Sequence, residues 1–147
     1  MGFALGTHGM TKGADMIMCS VSAANAATCQ DMVSVGEMMP QVDTVNNITV
    51  TSEEKDGSVM VTVKRKLDTD DAEQDFVIPL DSEFEMSWSI METGSDMTKE
   101  HTKFGEINAM LKSDGTVGTP IYIEEDGAMA LAAQIAAGAS LIAMTMF

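Results

Sequence analysis

The feature that most constrains the fold of this chain is the alternation of apolar and polar residues along its segments. In Phe84–Ile90 every even-numbered residue is apolar and every odd-numbered residue is polar. This pattern is typical of a strand that buries one face. Between Asp15 and Leu80 the apolar residues also recur with period two, and turn-forming residues separate them at short intervals. The sequence therefore predicts an all-β, antiparallel protein.

Two β-hairpins are predicted within this region. The first joins a strand over Met16–Val21 to a return strand over residues 32–35, and the second joins Ile48–Ser52 to Val59–Leu67. In the second hairpin the turn includes Asp-Gly, which supplies a residue with positive φ. The length of 147 residues and a hydrophobic content of 45% suffice for one core. We expect a single domain.

Three features favour an extracellular location. Cys19 and Cys29 lie on the two arms of the first hairpin, where facing residues come close enough to form a disulfide. Asn47 begins an Asn-Ile-Thr sequon, which would accept a glycan in a secreted protein. Disulfides persist in oxidising compartments. Together with the apolar C-terminal segment, the two features predict a secreted or cell-surface protein.

The charge composition limits the partners that the chain can have. Lys and Arg total 8 against 23 Asp and Glu, which gives a formal net charge of -15 and excludes nucleic acid. The basic run Lys64–Lys66 is interpreted as a solvated strand end. The acidic run Asp68–Asp75 lacks the central Gly and the final Glu of a calcium loop. It is interpreted as a solvated turn.

The C-terminal segment, residues 127–147, contains no charged residue and is rich in alanine. As a helix rising about 1.5 Å per residue, it would just cross a bilayer core of about 30 Å. No Lys or Arg follows it, which favours a cleaved lipid-anchor signal, with the lipid attached near residues 113–115, or a broken gene model over a finished transmembrane protein. The alternative is a helix packed on the domain. We therefore predict a β-sandwich over 1–118, an acidic spacer over 119–126 and an apolar membrane helix or anchor signal over 127–147.

Two histidines, His8 and His101, are the candidate metal ligands. A lone histidine is usually structural, but His101 lies in a polar segment beside Phe104, where an imidazole can border an apolar pocket. The chain offers no Gly-rich phosphate loop, and its two histidines provide no recognisable Ser-His-Asp or Cys-His arrangement. We expect no catalytic centre of its own. A zinc site from both histidines with Cys19 and Cys29 is a further alternative.

Several short motifs together resemble the DOMON domain family. The motifs occur in the family's order and cover residues 2 to about 115: Gly2–Gly6, Gly9-Met10, Gly13–Met18, Asn47–Val50, Lys64–Asp71, Gln74–Phe76, the strand around Trp88, and Glu100–Gly105. This resemblance implies an immunoglobulin-like β-sandwich. It also implies that the chain lacks the opening strands of the family, so that it is truncated at the N-terminus.

The resemblance extends to haem-binding members such as the cytochrome domain of cellobiose dehydrogenase. In these, haem b lies between a methionine near the Gly-Asp segment and a histidine in a Glu-His-Thr-x-Phe-Gly-like loop. Carried over, the axial ligands would be Met10 and His101, with His8 as the alternative ligand. The implied function is an extracellular electron-transfer module that serves a redox protein or a membrane cytochrome. The alternative is a haem-free DOMON sandwich that binds a sugar, a small ligand or a partner protein.

Overall fold

The computed structural model describes residues 1–55, 58–91, 99–114, 121–123, 131–135 and 141–146. These residues form eleven strands and no helix: β1 (Gly2–Leu5), β2 (Asp15–Val21), β3 (Ala27–Val33), β4 (Gln41–Val42), β5 (Ile48–Lys55), β6 (Ser58–Lys66), β7 (Glu83–Ile90), β8 (Lys103–Met110), β9 (Ile121–Ile123), β10 (Leu131–Ile135) and β11 (Leu141–Met146). Within this part of the chain, no helix is long and apolar enough to cross a membrane.

The strands form two antiparallel sheets. The larger sheet has seven strands in the order β4-β3-β2-β1-β7-β8-β9, and the smaller has four in the order β10-β11-β6-β5. The two predicted hairpins correspond to β2–β3 and β5–β6, but the return strand of the first, predicted over residues 32–35, instead spans Ala27–Val33. The predicted all-β class is confirmed. The predicted Asp56-Gly57 turn of the second hairpin lies outside the described residues.

The core lies between the inward faces of the two sheets. The larger sheet contributes Phe3 and Ile17, and the smaller sheet contributes Val61 and Val63. All four are at most 2% exposed. In β2 and β6, alternation places every second residue between the sheets, because successive side chains point to opposite faces of a sheet. Each strand of the larger sheet therefore also presents an outer face.

The predicted strand over Phe84–Ile90 is confirmed as β7. Phe84 and Met86 are buried, and Trp88 packs against the core from a partly buried position. Trp88 pairs with Gly105 of the adjacent strand β8. A Cβ atom at Gly105 would lie 2.7 Å from atoms of the indole ring, so the ring occupies the space that any larger residue would need.

The helix predicted over residues 127–147 requires a correction in the residues that the structure describes, whereas the membrane or lipid-anchor role of the segment stays a prediction. The described residues of this segment form the strands β10 and β11 instead of an apolar helix, and β11 pairs with β6 along Lys66 to Val61. The physical reason is the edge of β6: its backbone groups need partners on the side away from β5. Tertiary pairing thus overrides the helix propensity of alanine. In the predicted spacer, Ile121–Ile123 form β9.

Candidate functional site

The predicted disulfide joins Cys19 and Cys29 in the structure. The two residues face each other across the β2–β3 pair, with 4.0 Å between their Cα atoms. Both side chains belong to the buried core between the sheets. Because the sulfur atoms bond each other inside the core, they do not join the two histidines, and the alternative zinc site is wrong.

The outer face of the larger sheet carries a cluster of methionines. One row across this face consists of Met32, Met16, Ala4, Ser87 and Glu106, in adjacent strands from β3 to β8. Ala4, Met16 and Met32 form a buried apolar cluster with Ala14. Met10 and Met18 pack against this cluster. We call these four methionines, Met10, Met16, Met18 and Met32, the methionine cluster.

The loop between β1 and β2 returns over this outer face. Gly6, Gly9 and Gly13 all have positive φ angles, between 73° and 85°, which favour glycine. At the end of the loop Gly13 donates its N–H to the carbonyl of Ser34 at 2.7 Å. Three glycines in the left-handed conformation thus turn the chain within eight residues. As a result, Met10 packs against the buried members of the methionine cluster.

His8 lies in the same loop and reaches β8. Its Nδ1 is 3.6 Å from Oε2 of Glu106, which belongs to the outer-face row. Its Nε2 is buried and has no hydrogen-bond partner among the described residues. Metal-ligating histidines are commonly oriented in this way: a carboxylate lies beside one ring nitrogen, and the other nitrogen is available to the metal.

His101 precedes β8 and lies against Phe104. The two ring centroids are 5.3 Å apart, and Nδ1 of His101 is buried with no hydrogen-bond partner in the described part of the chain. Phe104 and Glu106 are two residues apart in β8, so their side chains share one face at a spacing of about 6.8 Å. Met10, His8 and His101 therefore all lie at the outer face of the larger sheet.

A second group of polar residues is buried between the sheets. Asp15, Asp31, Arg65 and Asp75 are each at most 8% exposed. Arg65 forms an ion pair with Asp15 through Nη1, and its Nη2 lies 3.8 Å from Oδ2 of Asp75. The same guanidinium donates to the carbonyl oxygens of Phe76 at 3.0 Å and Lys66 at 3.3 Å. We call Asp15, Asp31, Asp75 and Arg65 the interior ionic cluster.

Burial dominates the protonation of this cluster. Desolvation raises the pKa of the Asp15 carboxyl, although the neighbouring Arg65 charge opposes the rise. Desolvation likewise raises the pKa of Asp31 to about 6, against the hydrogen bond that it accepts from the backbone N–H of Asn47. The cluster therefore holds more negative charge than its single guanidinium stabilises.

Two of these residues correct the sequence interpretation. The sequence predicts a solvated strand end at Arg65 and a solvated turn at Asp75, yet both side chains are buried. The signal for Arg65 was present in the sequence: Val61, Val63 and Arg65 alternate in one strand and share its inward face. Asp75 lies outside a strand and carries no comparable signal.

The predicted glycan acceptor Asn47 contacts the interior ionic cluster. Its Nδ2 donates to Oδ2 of Asp75 at 2.8 Å, and its backbone N–H donates to Oδ2 of Asp31 at 2.9 Å. A glycan on Nδ2 would have to share that nitrogen with the first of these bonds. Glycosylation at Asn47 stays a prediction.

Comparison with known proteins identifies the family. The family model of the DOMON domain matches residues 1–102. The chain belongs to the DOMON family. Searches of curated proteins and of solved structures found no significant match. DOMON domains occur in extracellular or cell-surface proteins and often bind haem or another ligand.

The DOMON match includes both groups of residues described above. Residues 1–102 contain the loop with His8 and Met10, and they extend to His101. They also contain all four members of the interior ionic cluster. The strand β8, which carries Phe104 and Glu106, lies beyond the matched range.

Proposed function

We propose that this DOMON domain binds haem b at the outer face of its larger sheet and serves as an extracellular electron-transfer module. The observation that carries the proposal is the gathering of Met10, His8 and His101 at one face. Each of the two imidazoles keeps a buried ring nitrogen without a hydrogen-bond partner among the described residues. A buried nitrogen of this kind loses its hydrogen bond to water, and binding a metal would compensate for the loss.

The residues at this face fit a haem group. Thioether and imidazole are the axial ligands of electron-transfer haems, and a methionine ligand raises the reduction potential. The apolar surface of the methionine cluster would cover a flat, largely apolar ring, since methionine adapts its shape to irregular surfaces. When both axial positions are filled by the protein, the haem iron supplies outer-sphere electron transfer without an open position for oxygen.

The axial pair proposed first is Met10 with His101, and His8 is the alternative ligand. The His101 ring lies against the Phe104 ring at an interplanar angle of 57°, and this contact holds the imidazole beside the sheet. His8 is oriented by Glu106, so removing that carboxylate should disturb the haem only if His8 is a ligand. The variant Glu106→Gln therefore distinguishes the two pairs.

The net charge of -15 indicates the kind of redox partner. Acidic surface accelerates association with a basic surface more than it strengthens the final complex. We expect a redox protein or membrane cytochrome that presents a basic docking region. Electron transfer to such a partner should slow as ionic strength rises.

The test is a haem titration of the purified protein, followed by visible absorption of the oxidised and reduced forms. Sharp α and β bands on reduction are expected, and they should disappear in both Met10→Ala and His101→Ala. Met38→Ala is the matched control, because Met38 is 66% exposed and outside the methionine cluster. It should retain the bands.

Three results would contradict parts of the proposal. A protein that remains colourless with haem supplied contradicts haem binding and leaves a haem-free DOMON domain for a sugar, a small ligand or a partner protein. Bands that survive in His101→Ala but vanish in His8→Ala assign the iron to His8. Bands that survive in Met10→Ala remove Met10 from the ligand pair.

A further inference from the structure

We infer that the interior ionic cluster is a binding site for one hard divalent cation, with Ca²⁺ as the best match, held by Asp15, Asp31 and Asp75. The site lies between the two sheets, on the opposite side of β2 from the methionine cluster. It is independent of the proposed haem function, which could fail without affecting it.

The three carboxylates converge from different parts of the chain. Asp15 begins β2, Asp31 lies within β3 and Asp75 lies in the connection between β6 and β7. One oxygen from each carboxylate lies within 4.8 Å of one from each of the others. Ca²⁺ binds its oxygen ligands at 2.3–2.6 Å, so ligands on opposite sides of one ion lie about 5 Å apart. A single ion can therefore contact all three residues.

The second observation is a set of buried oxygens that nothing satisfies. Oδ1 of Asp15, Asp31 and Asp75 is buried without a hydrogen-bond partner in the described residues. The hydrogen bonds that these carboxylates accept from the described residues end on their Oδ2 atoms. An unsatisfied buried polar group costs about 1–3 kcal/mol, and more when it is charged. Each of the three carboxylates thus has a buried oxygen that is available to a ligand that accepts electron pairs.

The charge of the cluster defines the ligand further. Among the described residues, these carboxylates form ion pairs only with Arg65. Three carboxylates against one guanidinium leave two negative charges in excess, which is the charge that one divalent cation neutralises. Buried charges persist only when they are paired or coordinate a metal.

The donor set favours a hard cation. All three candidate ligands are carboxylate oxygens, and Zn²⁺ sites in proteins favour nitrogen and sulfur ligands. Mg²⁺ keeps several waters and requires octahedral geometry. The carboxylate residues here are at most 8% exposed, which leaves little access for such a hydration shell. Ca²⁺ tolerates irregular geometry and prefers protein oxygens.

The experiment uses the full chain, freed of metal with EGTA and studied at pH 7.5 in 150 mM NaCl. Isothermal titration with CaCl₂ should give one Ca²⁺ per chain, and 1 mM CaCl₂ should raise the Tm over EGTA buffer. Asp31→Asn should weaken Ca²⁺ binding at least tenfold. Asp43→Asn is the matched control, because Asp43 is also buried with a partnerless Oδ2 but lies outside the triad.

Clear results would overturn the inference. Wild-type protein that neither binds Ca²⁺ nor changes its Tm contradicts it without any variant. An equal Tm rise with MgCl₂ would assign the effect to screening of the acidic surface. Equal losses of Ca²⁺ affinity in Asp43→Asn and Asp31→Asn would likewise contradict a site formed by Asp15, Asp31 and Asp75. If Asp31→Asn does not fold, Asp75→Asn provides the second variant.

Discussion

Replacing Arg65 by methionine should lower the free energy of unfolding by about 3–5 kcal/mol. Arg65 is 2% exposed and donates to Asp15 and to the carbonyl oxygens of Phe76 and Lys66. Methionine preserves much of the length and the apolar packing of the side chain. The loss therefore comes from the charge and the hydrogen bonds that the substitution removes.

The magnitude follows from what the substitution leaves behind. A hydrogen bond to a charged group contributes about 1.5–3 kcal/mol net, but methionine also avoids the desolvation cost of the guanidinium. The dominant cost is the buried Asp15 carboxylate, which would lose its only ion-pair partner among the described residues. Breaking a buried pair from one side costs about 3–5 kcal/mol. The total free energy of unfolding of a domain is about 5–15 kcal/mol, so this loss is a large part of it.

The assay is urea unfolding in EGTA buffer, followed by the fluorescence of Trp88, the single tryptophan of the chain. Lys64→Met is the matched control, since Lys64 is the exposed neighbour of Arg65 in β6. It should change the free energy of unfolding by less than about 0.5 kcal/mol. The double variant Asp15→Asn/Arg65→Met should recover part of the loss, because no uncompensated charge remains at residue 15. A loss below about 1 kcal/mol in Arg65→Met would refute the reasoning.

Three further predictions concern the core and the ionic cluster. The double variant Cys19→Ala/Cys29→Ala should lose about 2–3 kcal/mol of stability in urea unfolding, because the disulfide closes a short loop. Equal stability of the reduced and oxidised wild type would contradict this. Gly105→Ala should cost about 1–3 kcal/mol and shift the emission of Trp88, whose ring lies 2.7 Å from the added Cβ; unchanged emission would contradict the contact. The pKa of Asp31 is raised from 3.8 to about 6, so its protonated form stabilises the fold below pH 4. This contribution to the free energy of unfolding is at most about 3 kcal/mol and should be lost as pH rises through 6 in EGTA buffer. Asp31→Asn should remove that pH dependence. An identical pH dependence of stability in wild type and variant would contradict the prediction.

Local alternation allowed the sequence to predict β2, β5, β6 and β7, but it did not predict β1 or β8. Phe84–Ile90 became β7 because the alternation of its side chains matches the period of a strand with one buried face. The Cys19–Cys29 disulfide was expected from the predicted hairpin, although the return strand predicted over residues 32–35 did not include Cys29 and the observed β3 does. Features that depend on neighbouring residues were thus accessible without the structure.

The interior ionic cluster was not accessible in the same way. The run Lys64–Lys66 is basic throughout. Only the alternation of side chains along β6, which turns Arg65 toward the core, distinguishes this residue from its exposed neighbours. Asp75 was hidden in an acidic run, and its burial depends on contacts with Arg65 and Asn47 from distant parts of the chain. Charge runs predict solvation on average, but strand alternation decides which member turns inward.

The C-terminal segment shows the limit of composition. An uncharged apolar run is consistent with a buried strand or with a helix, and composition alone does not separate them. The strands β10 and β11 form because β6 offers an edge whose backbone groups need partners. The availability of that edge is a property of the sheet and cannot be derived from residues 127–147 themselves.

The two proposed sites depend on the same strand register. Asp15 and Asp31 point inward from β2 and β3, whereas their chain neighbours Met16 and Met32 point outward and face each other. A slip of one residue would exchange the two faces of a strand, placing methionine in the ionic cluster and aspartate under the β1–β2 loop. The disulfide joins β2 to β3 at a facing pair, which opposes such a slip. Removing it should therefore weaken Ca²⁺ binding and haem binding together, whereas Asp31→Asn should affect Ca²⁺ binding alone.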